Sequence, residues 1–311
     1  MIQARGLTKR FRDKLAVEDL TFTAPSGAVT GFVGPNGAGK STAMRLMLQL
    51  ASGEGETYFD GRPLSAHPDP SRVVGALLDS RGFHPRRTAR DHLSSLAALA
   101  GVPAARADEC LRAVGLEAVA GKQPGGFSLG MAQRLGLAGA LIGDPRVLIL
   151  DEPANGLDPQ TVTWLRTFLR TLAAEGRTIF LSSHLLTEMA LLADHLVVIG
   201  RGRLMAEGSV EEFVRRHTAG QVLLRTPHVD RVLEPLRAAG ARVEADGEAL
   251  TVTGVSREAV AETAWRQGAM VLELTTRHGS LEDAYLSLTG AAVEFGPRAA
   301  AATAATTGAT R

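Results

Sequence analysis

An apolar run, Ala28 to Val33, breaks at Gly34, Pro35, Asn36, Gly37, Ala38, Gly39, Lys40, Ser41 and Thr42, and a helical pattern follows to Leu50 with Met44, Met47 and Leu48 on one face. No other nine residues constrain the fold as strongly. Glycines let successive backbone N–H groups turn inward around an anion without Cβ clashes, and the helix start adds its dipole. A strand, a glycine loop and a helix in that order predict an α/β layer carrying a phosphate-binding loop. Lys40 supplies a full charge to terminal phosphates, Ser41 offers a hydroxyl to Mg²⁺, and Thr42 lies one step further along the helix start. The expected ligand is a nucleoside triphosphate.

A second apolar run, Val147 to Leu150, ends in Asp151 and Glu152, which places two carboxylates at the end of a buried strand. Asp151 suits Mg²⁺, directly or through water, opposite Ser41, and Glu152 suits proton abstraction from an attacking water. Upstream, Ser128 and Gly130 precede a helical stretch, Ala132 to Leu141, and form a second candidate anion-binding end.

The segment FSLGMAQR, Phe127 to Arg134, about twenty residues before VLILDEP, resembles the signature of ABC ATPases, the ATP-binding subunits of ABC transporters. In that family the signature of one subunit closes over the γ-phosphate held by the other subunit's phosphate loop. The usual motif is LSGGQ, so Leu129 and Met131 depart from it, while Ser128 and Gly130 are retained. The resemblance implies that Pro153 to Asp158 form a D-loop and that His184, after the strand Thr178 to Leu181 and Ser182–Ser183, is a switch histidine. A neutral imidazole there would hydrogen-bond the γ-phosphate and orient water. Phe11, in LTKRF, matches the family's adenine-stacking aromatic. Where the family places a glutamine, after the strand Val74 to Leu78, this chain has Asp79, able to bind a water of the Mg²⁺ shell but not to reproduce an amide. Asp79, GFHPRRTARDHL, SLGM and LEDAYLSLTG resemble the bacterial drug-export branch, including the bacitracin and daunorubicin resistance types.

The alternation of short β-branched runs and amphipathic stretches predicts an α/β domain over 1–208, which the resemblance implies is a P-loop ABC ATPase domain with a helical signature subdomain. A linker helix is expected over 209–220. From 221 to 290 the order βαββαβ, with strands that include Val222–Arg225, Ala249–Thr253 and Met270–Leu274 and a closing helix Leu281–Leu288, predicts a small α+β ferredoxin-like accessory domain. The Ala-, Thr- and Gly-rich stretch 291–311 is expected to be a disordered tail, an Ala-rich helix being the alternative.

In 311 residues there are 34 basic and 33 acidic side chains and 5% aromatics, a balance that argues against a dedicated nucleic-acid binder. The single cysteine, Cys110, excludes an internal disulfide framework and reads as a core residue. The remaining histidines, His67, His84, His92, His195, His217, His228 and His278, show no ligand spacing, so Mg²⁺ is the one metal expected. No run approaches the ~20 apolar residues of a membrane span, and Met1 to Arg10 lacks a secretion signal. The expectation is a cytoplasmic ATPase subunit of an exporter, peripheral to the inner face of the membrane. It would work as a pair of copies with a separate integral membrane permease. By resemblance, the loop 79–93 with Arg81, Arg86, Arg87 and Arg90 contacts that permease. A soluble ABC ATPase acting on ribosomes or DNA, or a nucleotide-gated module with little turnover, are the alternatives.

Overall fold

The computed structural model describes residues 1–12, 14–79, 82–84, 86–217, 220–277 and 280–289. Arg81, His278 and the stretch 291–311, for which the sequence sets expectations, lie outside them.

The chain begins with β1 (Ile2–Phe11), β2 (Lys14–Ala24), β3 (Val29–Val33), α1 (Lys40–Met47), β4 (Glu54–Phe59) and β5 (Arg62–Pro63). After α2 (Pro70–Val73) and β6 (Val74–Leu77) come α3 (Ala89–Leu99), α4 (Ala105–Ala113), α5 (Leu129–Ala140) and β7 (Val147–Leu150). The next stretch holds α6 (Pro159–Ala174), β8 (Thr178–Ser183), α7 (Leu186–Leu192), β9 (His195–Gly200), β10 (Arg203–Ser209) and α8 (Val210–His217). The last is β11 (Gln221–Arg225), α9 (Val229–Ala238), β12 (Arg242–Asp246), β13 (Ala249–Thr253), α10 (Arg257–Arg266), β14 (Glu273–Arg277) and α11 (Leu281–Thr289).

The central sheet has the order β10-β9-β3-β8-β7-β6, parallel except for the edge strand β10. Its middle strands, VTGFV, VLIL and TIFLSS, are buried throughout, as strands covered on both faces must be. One face packs on α3 to α7, where Leu93, Cys110, Leu135, Leu148 and Met189 share a core. The other meets α1 and an antiparallel sheet, β2-β1-β4-β5. Phe22, Phe32 and Phe180 seal that second face, with ring centroids 5.1 to 5.8 Å apart. In β1 a bulge at Gly6, φ 61°, carries the buried positions from Ile2 and Ala4 to Leu7. That slip breaks the period-two pattern and hides the strand from sequence periodicity.

Beyond α8, the strands β12-β13-β11-β14 form a fully antiparallel sheet, the order of a split βαβ unit, around a core of its own that includes Leu224, Val252 and Val260. Its last strand is Glu273–Arg277, three residues later than the apolar run Met270–Leu274 predicts. Register decides this: Leu274 lies opposite Leu224, while Met270, Val271 and Leu272 stay 59%, 42% and 52% exposed. The closing helix α11 does not cover this sheet. Leu281 and Ala284 are buried in the core of the first domain together with Phe213 of α8 and Met189 and Leu192 of α7. The segment 209–220, expected as a linker, is therefore partly core. No helix among the described residues is long and apolar enough to cross a membrane.

Candidate nucleotide site

Four strands of the central sheet deliver their chemistry at their C-terminal ends, the edge where open α/β sheets bind ligands. Val33 runs into the glycine loop, Leu150 into Asp151 and Glu152, Ser183 into His184, and Leu77 into Leu78 and Asp79. Because β8 lies between β3 and β7, His184 is set between the phosphate loop and the carboxylates.

In the loop, Gly37 and Gly39 have φ of 80° and 103°, values that favour glycine. A Cβ on Gly39 would also collide with the Ala16 carbonyl. Gly39 is the N-cap of α1 and provides no side-chain cap, so the first N–H groups of that helix keep their capacity for an anion. Lys40, only 7% exposed, donates from Nζ to the Gly34 carbonyl at 2.7 Å and to that of Pro35 at 3.4 Å. It also lies 3.4 Å from Glu152 Oε1. The other Glu152 oxygen, Oε2, is 2.7 Å from His184 Nδ1. Glu152 thus joins Lys40 to His184.

Its backbone is equally constrained. Glu152 has φ 48°, a left-handed conformation uncommon for a residue with a side chain. Ser182 holds it there: its Oγ accepts from Glu152 N at 2.8 Å and donates to Asp151 Oδ1 at 2.6 Å. One buried hydroxyl orients both carboxylate residues, and the sequence reading missed it. The available signal was a serine ending an otherwise apolar strand beside the strand that ends in Asp-Glu.

The loop from Asn36 to Thr42, Phe11, Lys14, Glu152, Asn155 and His184 line one open cleft of about 670 Å³. Phe11 is 53% exposed, with Lys9 Nζ 5.1 Å from its ring centroid, so an aromatic is offered to the cleft beside a cation. Asp79, Asp151, Leu129 and Asn155 line an adjoining cavity of about 430 Å³ that shares Glu152 with the first. Neither Ser128 nor Gly130 lines either cavity. Ser128 caps α5 instead, its Oγ accepting from Met131 N at 3.2 Å. Asp158 caps α6 in the same way, accepting from the N–H and hydroxyl of Thr161, contacts that hold its carboxyl below the usual range.

The donors near the loop are hard oxygens: the Ser41 hydroxyl lines the cleft, and Asp151, fixed through Oδ1 by Ser182, keeps Oδ2 available. That set fits Mg²⁺, which takes one or two protein oxygens and completes its shell with phosphate and water. Among the described residues no group of three or more His, Cys, Asp and Glu could enclose a metal, and such a cation needs none.

Residues 17–155 match the family described as ABC transporter, and residues 220–282 match a domain family described as of unknown function. The chain is 35% identical over 300 residues to the Nod factor export ATP-binding protein I of Rhizobium sp. (strain N33), covering 94% of this chain and 98% of that one. It is 34% identical over 303 residues to the bacitracin transport ATP-binding protein BcrA of Bacillus licheniformis, covering 93% and 97%. Among solved structures, an ATP-binding subunit of an ABC transporter superposes with a TM-score of 0.63 at 27% identity, over 70% of this chain and 92% of that one.

Proposed function

The chain belongs to the ATP-binding proteins of ABC transporters, and on that premise we propose that it binds ATP with Mg²⁺ between two copies and powers export through a separate membrane permease. The observation that carries this reading is the division of the site. Lys40, Glu152 and His184 converge in one cleft, whereas Ser128 and Gly130 lie outside it at another helix end. A cleft built from one side is completed when the signature end of a second copy closes over the nucleotide.

In that arrangement the loop N–H groups and Lys40 hold the phosphates, and Phe11 stacks on the base. Ser41 and Asp151 would hold Mg²⁺, with Asp79 as a further oxygen donor toward it, and the ion would neutralise charge developing on the transferred phosphoryl group. Glu152 takes the proton from the attacking water, and His184 orients that water and the γ-phosphate. Lys40 must leave Glu152 Oε1 for the phosphates, which frees the carboxylate for its role. Closure of the pair on ATP and its release after hydrolysis provide the two states that a membrane partner converts into transport.

Relatives named for Nod factor export and for bacitracin transport support drug or antibiotic efflux as the process, and the working position is the cytoplasmic face of the membrane, docked on the permease through Arg86, Arg87 and Arg90. Glu152→Gln is expected to keep ATP binding, to accumulate as an ATP-dependent dimer in size-exclusion chromatography, and to hydrolyse about 10² to 10⁴-fold more slowly. Unchanged turnover would remove Glu152 as the base. Capture of an integral membrane subunit from membranes tests the partner, and recovery of ribosomal proteins alone would replace it.

A further inference from the structure

The small domain is tethered to the first at both ends, and the two tethers pack on each other. It leaves through α8 and returns through α11, and both helices contribute to the core that contains α7. Phe213 of α8, Leu281 and Ala284 of α11, and Met189 and Leu192 of α7 are buried in this one cluster. α11 is anchored at its start by a reciprocal cap: Asp283 N donates to Ser280 Oγ at 3.0 Å and Ser280 N donates to Asp283 Oδ2 at 2.9 Å. α7, in turn, begins two residues after His184, whose Nδ1 lies 2.7 Å from Glu152. Between them Leu185 N donates to Ser183 Oγ at 2.9 Å, which leaves little slack in the turn. Met189 presses α7 onto β3, so closely that a Cβ on Gly31 would meet its Sδ at 2.9 Å.

The geometry points to α11 as a positioning element for His184: Leu281 and Ala284 set the seat of α7, and α7 sets the reach of the imidazole to Glu152. The inference rests on the proposed role of His184 in turnover. A shift of α11 tilts α7 about its contact with β3 and moves the histidine at its head, without touching the phosphate loop, Phe11 or Lys40. Displacement of a reacting group by about 1 Å is enough to lower a chemical step ~10²-fold, so a smaller shift gives a measurable change. Whatever binds the small domain therefore acts on hydrolysis through α8 and α11 and leaves nucleotide binding alone.

The test compares full-length Leu281→Ala with the parent and with His184→Ala, by steady-state ATP hydrolysis with Mg²⁺, nucleotide affinity and the pH profile of kcat. Leu281→Ala is expected to lower kcat by about tenfold with KM for ATP within about twofold, to change the pH profile, and to cause no further loss in the His184→Ala background. Ser280→Ala loosens the cap of α11 without opening the core, is expected to act in the same direction more weakly, and serves if Leu281→Ala does not fold. A role in stability alone would lower the melting temperature and leave kcat and its pH profile as in the parent; that result overturns the inference. If His184→Ala itself turns over like the parent, the role of the histidine falls. If His184→Ala is slow while the α11 variants are normal, only α11 is refuted.

Discussion

Two helix starts in this molecule look alike in sequence and differ in structure. α1 opens at Gly39 and α5 at Ser128, and either could receive an anion on its exposed N–H groups. At α1 the cap residue has no side chain, the backbone is left-handed, and Lys40 and Glu152 stand over the opening. At α5 the cap residue satisfies the helix with its own hydroxyl, and Leu129 borders the adjoining cavity while Ser128 and Gly130 line neither it nor the cleft. The first end is prepared for a ligand by its own chain, whereas the second is complete in the absence of one. On the proposed reading, a resting molecule of this kind keeps its surface satisfied while each copy would hold only half of what turnover needs.

The comparison can be broken most forcefully at Lys40. Removing a buried cation from a phosphate site costs about 2 to 5 kcal/mol, so Lys40→Ala is expected to weaken ATP binding by roughly 30- to 5,000-fold, measured by titration calorimetry. Binding equal to the parent's would mean that α1 is not the primary anion site. A narrower probe is Gly130→Ala. A Cβ there meets Thr161 at an ordinary 3.4 Å, so the fold accepts it. The isolated chain should keep its ATP affinity within about twofold while hydrolysis falls by ~10²-fold, because the added methyl blocks the partner's phosphate. Parallel losses of affinity and turnover would place Gly130 in its own chain's cleft and collapse the distinction. The smallest effect is expected from the cap itself. Ser128→Ala should lower the stability of the nucleotide-free chain by about 1 kcal/mol in urea unfolding. No change would show that Ser128 does not complete its own helix.

What the sequence revealed depended on how local the cause was. The phosphate loop and the Asp151–Glu152 pair are set by neighbouring residues and could be read directly. The contacts that arm the site are not local. Ser182 reaches Asp151 and Glu152 only because β8 pairs with β7 in a register that puts Leu181 opposite Leu150. Lys40 meets Glu152 across the intervening strand β8. Strand β1 escaped and β14 was placed three residues early for a related reason, since a bulge moved the buried face of one and pairing with β11 outweighed an apolar run in the other. Most distant was the seat of α11, where two apolar positions in the last described helix chose a core formed by residues about ninety positions earlier.

The shared doorway of α8 and α11 also makes the small domain exchangeable. Its polypeptide leaves and re-enters at adjoining helices that bury against each other, so the spacing between those ends is what a replacement must match. A receptor domain for another ligand, grafted between Val210–His217 and Leu281–Thr289 with matched termini, would inherit the same grip on the machinery below. Such a chimera would turn the ATPase into one commanded by a chosen signal.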